Sequence, residues 1–468
     1  MKTFKRFLAS LMVAVMVLTA APLSGLVGTE LNLDWLSFDW LDFNTKASAE
    51  SYSGTCGDNL TWSFDTSTGE LIISGEGEMD DYSSKYINGF DRTTAPWGSY
   101  ISSIKKVTIE DGVTSIGSSA FLGCTSLTSI TIPDSVTSIG SSAFEDCTSL
   151  TSITFPDSVT SISKYVFYNC TSLTSITIPD GVTSIGDSAF YYCTSLTSIT
   201  IPDSVTSIGD FAFYDCRRLT SFTIGNGVTS IGSSAFSYCT SLTNITIPDS
   251  VISIGDSAFS CCYSLTSITI PDSVTGIGDH AFVDCNSLTS ITIPDSVTSI
   301  GYEAFRNCIS LTSITIPDSV TTIGVRMFFN CYSLTSITIP QSVTSIGYGT
   351  FEDCDSLTDV YYSGTYEDWQ NISIGSYNGC LTNAKLHYDV SIKLGDVNLD
   401  GRINSLDGLL ILLNCVGNPG NGNPDIKYNL ALGDVDKDSK STTFDAFLIL
   451  SYSVGMIMDF DNWENQID

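Results

Sequence analysis

Histidine is nearly missing from this chain: His280 and His387 are the only two. That scarcity removes most histidine triads and histidine-ligated metal sites from consideration and leaves each histidine as a surface or packing residue. Basic residues are few as well, 19 against 51 acidic ones, for a formal net charge of -32. So acidic a chain lacks the clustered cations that nucleic acid requires, and an anionic membrane surface disfavours it. Long apolar runs are missing too. Residues 7–18 form an apolar stretch behind Lys2, Lys5 and Arg6, too short to span a bilayer. No membrane insertion is expected; the stretch has the build of a secretory signal, and the protein is expected to be exported. A signal of residues 1–24 fits the small residues Ala20 and Ala21, and a cleavage as late as 49 fits Ala47-Ser48-Ala49.

What is present is repetition. Phenylalanine recurs every 23 residues from Phe121 to Phe351, eleven times, and a cysteine follows each one three residues later, from Cys124 to Cys354. In one unit, Leu127, Ile130 and Ile132 form a strand pattern, Pro133-Asp134-Ser135 turns the chain, and Val136 and Ile139 point inward. Gly140 is expected to permit a tight bend, and Ala143, Phe144 and Cys147 to close the coil through a short helical or irregular segment. Each coil is half a core and becomes buried only against its neighbours, which defines a solenoid with distinct terminal caps.

Fifteen cysteines in an exported chain would ordinarily suggest a disulfide framework. The periodic ones occupy one equivalent position per coil, and a strand spacing of about 4.8 Å holds them beyond the roughly 3.8 Å between Cβ atoms that a bridge prefers. A buried, reduced ladder is expected. Cys56, Cys261, Cys380 and Cys415 lie outside it and are free to pair.

The unit, with Ala-Phe before cysteine and Ile-Pro-Asp after the strand, resembles the BspA-like leucine-rich repeat family of bacterial surface proteins. The likeness spans residues 104–362, with an amino-terminal cap at 51–103 and a closing cap and linker at 363–390. It implies binding or adhesion to proteins, cells or glycans, without catalysis.

Along the repeats, the outward strand positions are nearly uniform threonine and serine, suited either to a regular lattice or to simple β-propensity, which is favoured. Variation concentrates around the Ala-Phe pair and after the cysteine. Tyr165, Tyr168, Tyr191, Tyr192, Tyr214, Tyr238, Tyr263, Tyr302, Phe329 and Tyr332 fall there and, if aligned, form a ridge suited to a protein or polysaccharide ligand. The alternative is that these are tolerant surface positions. The Pro-Asp aspartates, such as Asp134 and Asp157, stack at nearly glycosidase spacing, but their identical surroundings assign them to bonding the turn backbone.

After residue 390 a new pattern appears. Asp396, Asn398, Asp400 and Asp407 occupy positions 1, 3, 5 and 12 of a calcium loop, with the carbonyl of Arg402 at position 7 and Asn404 at position 9. A second copy follows in Asp434, Asp436, Asp438, Lys440, Thr442 and Asp445. Two Ca²⁺ ions are expected, because alternate oxygens of a tight loop converge on one point and a last carboxylate reaches back from the following helix. Each loop runs into an apolar helix, 407–416 and 445–454. The duplication resembles a type I dockerin, assigned to residues 391–468. By that resemblance the partner is a cohesin domain of a scaffold protein, contacted by Ser405, Leu406, Leu412 and Leu413 in one copy and Thr443, Phe444, Leu450 and Ser451 in the other. Ser439 stands where the second loop should carry glycine, and Lys437 and Lys440 offset its charge, so the second site is expected to bind more weakly.

The expected fold class is therefore mixed α/β: a leucine-rich repeat solenoid of 23-residue coils with one short strand each, plus a small all-α calcium-binding dockerin. The expected function is a secreted, non-catalytic binding protein docked onto a cellulosome-like scaffold and associated with polysaccharide degradation. Two alternatives stand beside it: a host-directed adhesin whose repeats bind protein, and an accessory of polysaccharide hydrolysis whose repeats bind carbohydrate.

Overall fold

A computed structural model describes residues 50–388, apart from 88 and 89. Most coils carry two short parallel strands, not one, and in two coils an isolated bridge at Ile162 or Thr292 stands for one of the pair. Ser175–Thr177 and Ser184–Ile185 belong to one coil, Ser198–Thr200 and Ser207–Ile208 to the next. The first kind pairs across coils as Ser152↔Ser175 and Ile153↔Ile176, the second as Ser184↔Ser207 and Ile185↔Ile208. The Ser-Ile-Thr strands alternate exposed, buried, exposed, so the isoleucines enter the core and the hydroxyls face outward.

The rest of each coil is a run of turns. Among the described residues α-helix occurs only at Tyr366–Gln370 and Gly379–Asn383, after the last coil. The all-α module expected at 391–468 lies outside the described residues; the described part is a β-solenoid with few helices in place of a mixed α/β repeat, which also corrects the single strand per coil. The cause is local. Two residues per coil, flanking the phenylalanine, adopt left-handed backbone: Ser188 at φ 53° and Tyr192 at φ 59° bracket Phe190. A right-handed helix cannot contain them. Their N–H groups donate sideways instead, Ser188 to Asp210 O at 2.8 Å and Tyr192 to Tyr214 O at 2.9 Å, so adjacent coils satisfy each other's backbone.

Gly140 has a different task from the one expected. The left-handed residue is Ser142, at φ 57°, while a Cβ on Gly140 would meet Ser118 N at 2.3 Å. Glycine is required there by the close approach of the preceding coil.

The phenylalanines stack through the core, fully buried, with successive ring centroids 5.1–5.7 Å apart. The thiols lie beside them. Each cysteine from Cys147 to Cys354 donates to the carbonyl of the preceding coil's phenylalanine at 3.1–3.3 Å. All fourteen cysteines among the described residues are free, including Cys56, Cys261 and Cys380. Burial pushes the Cys331 thiol up to about 12 and Cys147 well above its usual range.

Both ends are closed. The hairpin Leu60–Asp65 with Glu70–Gly75 continues the first sheet by pairing Leu71 with Val107. Trp97 extends the ring stack, 5.7 Å from Phe121, and its indole N–H donates to Ala120 O at 2.8 Å. At the far end buried Asn378 accepts from Phe351 N at 3.0 Å and donates to Gly347 O and Gly375 O, both at 2.8 Å, supplying the partners that a further coil would.

Candidate functional site

Six of the ten expected ridge residues lie together. Tyr168, Tyr191 and Tyr214 hold the same position in successive coils, and their rings stack at 4.9 and 4.6 Å with interplanar angles of 7° and 5°. Tyr165 meets Tyr168 edge-on at 6.0 Å, Tyr192 meets Tyr191 at 4.5 Å, and Tyr238 lies 5.4 Å from Tyr214. Phe211, which sequence reasoning did not single out, joins them 5.9 Å from Tyr214. Burial raises the phenol pKa of Tyr168, Tyr191 and Tyr214, so these hydroxyls remain neutral donors throughout the physiological range.

The backbone beneath these rings carries information that no sequence pattern displays. Tyr165, Tyr192, Phe211 and Tyr238 sit in left-handed conformation, at φ 57°, 59°, 56° and 61°. A left-handed residue with a Cβ costs about 1–2 kcal/mol, and short polar side chains tolerate it better than bulky ones. Equivalent positions in other coils hold Ser142, Asp146, Ser234 and Asn307.

Tyr302 and Phe329 join a second cluster farther along, around Glu303, whose side chain is 3% exposed. Arg306 Nη1 lies 2.8 Å from its carboxylate, His280 Nε2 3.5 Å and Arg326 Nη1 3.8 Å. Both guanidinium groups also lie over the Phe329 ring, at 5.6 and 5.5 Å. Burial alone would raise the Glu303 carboxyl, but hydrogen bonds from Tyr302 and Arg306 and the charges of Arg306 and His280 outweigh it and hold it below the usual range. His280 is thus one edge of a polar cluster, a role its isolation in the sequence did not show. Tyr263 shares the Cys261 thiol with Tyr238 at the edge of the first cluster, and Tyr332 is 45% exposed.

The Ser/Thr face is uniform until its last two strands, Asp359–Tyr362 and Lys385–Tyr388. There His387 bonds Asp359 at 2.6 Å and stacks on Tyr361 at 4.7 Å.

The Pro-Asp turns are held differently from expectation. The proline carbonyl accepts from the valine N–H, as Pro202 O does from Val205 N at 3.1 Å. The serine reaches across to the preceding coil, Ser204 Oγ donating to Val182 O at 2.6 Å. Asp203 does bond backbone, accepting from Asn226 N at 2.7 Å. The aspartates that bond backbone regularly are those after the glycine: Asp187, Asp210, Asp256 and Asp279 each accept from the next coil's N–H at 2.7–3.0 Å. Among the described residues no group of histidine, cysteine, aspartate or glutamate side chains converges as a metal site. The calcium-loop residues from Asp396 to Asp445, the cohesin-facing residues from Ser405 to Ser451, Cys415, and the signal at 1–24 lie outside the described residues.

Stacked parallel strands and a repeated apolar coil define a leucine-rich repeat solenoid. The profile of the BspA type leucine rich repeat region matches residues 99–217, 160–289 and 275–393, and the chain belongs to that family. A second profile, the dockerin type I domain, matches residues 394–452. Among solved structures, the chain is similar to a leucine rich cell surface protein from Faecalibacterium prausnitzii, 32% identical over 70% of this chain and 98% of that one, with a TM-score of 0.40. It is similar also to a leucine-rich repeat protein from Eubacterium ventriosum, 30% identical over 66% and 84%, TM-score 0.48. A leucine-rich repeat protein from Bacteroides ovatus is 28% identical over 66% and 98%, TM-score 0.38. No curated protein matches. Both matched families are non-catalytic and typical of extracellular or cell-surface proteins. Among the described residues no helix is long and apolar enough to cross a membrane.

Proposed function

We propose that this chain is an exported, non-catalytic binding protein whose carboxy-terminal module docks it onto a cohesin domain of a cellulosome-like scaffold while the repeats present a ligand surface. The observation that carries the reading is one chain joining a dockerin match at 394–452 to a repeat match ending at 393. Two Ca²⁺ ions would be held by Asp396, Asn398, Asp400, the Arg402 carbonyl, Asn404 and Asp407, and by Asp434, Asp436, Asp438, the Lys440 carbonyl, Thr442 and Asp445. Bound calcium would neutralise the clustered carboxylates and fix the loops against their helices. Cohesin would then meet Ser405, Leu406, Leu412 and Leu413, or Thr443, Phe444, Leu450 and Ser451.

Asp396→Ala combined with Asp434→Ala is expected to abolish calcium uptake and cohesin capture while leaving the repeats folded, since coil stacking has no need of metal. Calorimetric titration with calcium and circular dichroism measure the two effects separately. Two-site calcium binding that survives both substitutions would refute the ligand assignment.

A second reading, a host-directed adhesin, is supported by the F. prausnitzii relative, whose description is that of a cell surface protein. Pull-down on insoluble plant polymers against host matrix proteins separates it from polysaccharide association.

A further inference from the structure

The ridge holds two aromatic clusters, and they differ in one respect. Around the phenylalanines Phe305, Phe328 and Phe351, the chain supplies its own cations: Arg306 and Arg326 lie over Phe329, and Arg326 lies 5.7 Å from the Tyr348 ring. Around Phe167, Phe190, Phe213 and Phe236, among the described residues, no guanidinium lies over a ring face, although the charge of Arg217 reaches Tyr192. We propose that this tyrosine cluster is a docking surface for a polypeptide partner that presents arginine or lysine side chains. The proposal rests on the reading that the repeats bind a ligand, and names the chemistry of that ligand.

Tyr165, Tyr192, Phe211 and Tyr238 place rings at left-handed positions that serine, asparagine or aspartate fill in most other coils, with Cys261, His280, Glu303, Arg326 or glycine in the rest. Backbone preference favours short polar residues there; the rings gain contacts with the tyrosine stack and leave part of their surface open to a partner. All four surround the one tyrosine stack, and Tyr165, Phe211 and Tyr238 are 37–40% exposed.

Ring orientation and charge then choose the partner. Within the stack the inner faces are occupied by neighbouring tyrosines, which leaves pyranose rings little face to lie on. The flanking rings are tilted 55–71° from the stack, so their faces point differently from those of the ladder. Cations bind ring faces, the more strongly when carboxylates lie beside them. The charges of Glu145 and Asp146 reach Tyr168 and that of Asp215 reaches Tyr214, while Arg217 is held by Asp215 at 2.6 Å. The net charge of -32 attracts such a partner from a distance.

The test uses the full chain with chelator present, so that the outcome is independent of the calcium module. Probes are a synthetic peptide of alternating arginine and glycine, its glutamate counterpart, and soluble xylan. The arginine peptide is expected to bind and the other two not. Tyr168→Ala/Tyr191→Ala/Tyr214→Ala should weaken it by about tenfold or more. Tyr192→Asn/Phe211→Asn should weaken binding while the melting temperature holds or rises, because asparagine suits left-handed backbone. Asp157→Asn/Asp180→Asn removes charge on the turn line and should leave affinity within about twofold. Peptide binding unchanged in the Tyr192/Phe211 variant, an equal loss in the turn-line variant, or preference for xylan would each overturn the proposal.

Discussion

At the scale of single residues, chemistry in this chain is governed by which coil neighbour a side chain meets. Glu303 is the clearest case, a buried carboxylate surrounded by Arg306, Arg326, His280 and Tyr302. Its folded pKa lies below its unfolded value, so its contribution to stability is fully present above the ordinary carboxylate range, about 4.3, and is lost as pH falls through the folded value. Glu303→Gln is therefore expected to lower stability at neutral pH and to make the remaining acid dependence shallower. Thermal melts of both proteins between neutral and acidic pH measure this, and parallel curves would contradict it. The sequence showed Tyr302 and Phe329 as variable ridge positions; it did not show Glu303, because two of the carboxylate's partners, His280 and Arg326, come from the neighbouring coils.

At the scale of the element, the unit is the coil, and its energy resides in the contact with the next one. Phe236 stacks between Phe213 and Phe259 at 5.5 and 5.4 Å, and Phe222 meets its edge at 4.6 Å. Phe236→Ala removes a fully buried ring from the middle of that stack and is expected to cost about 3–5 kcal/mol, read from urea denaturation. A loss below about 1 kcal/mol would mean that the coils repack freely. The apolar half of the coil was legible from Leu127, Ile130, Val136 and Phe144. The turn half was not, since left-handed conformation is adopted by serine, aspartate and tyrosine alike and has no residue signature here.

At the scale of the molecule, nearest-neighbour stacking makes length adjustable and ends indispensable. Deletion of residues 236–258, one whole 23-residue period, rejoins Ala235 to Phe259 in register. The shortened protein is expected to fold, with a urea m-value reduced roughly in proportion to the buried surface removed. Removal of half a period should instead abolish cooperative unfolding, because every strand would pair out of phase. An equal effect of the two deletions would argue against independent coils. The caps follow the same logic: Trp97 covers the first phenylalanine, and Asn378 completes the backbone bonds of the last coil.

The sequence by itself determined that the chain repeats, what each repeat buries, that its periodic thiols remain unpaired and where its surface varies, because periodicity, apolar pattern and spacing are properties of the chain. Only the tertiary structure decided that most coils have two strands, that the remaining arc is turns held by the neighbouring coil, and that the tyrosines of one stretch stack while the arginines of another converge on a buried carboxylate. Those outcomes depend on contacts between residues about 23 positions apart, where the distance is set by stacking and not by the order of residues along the chain.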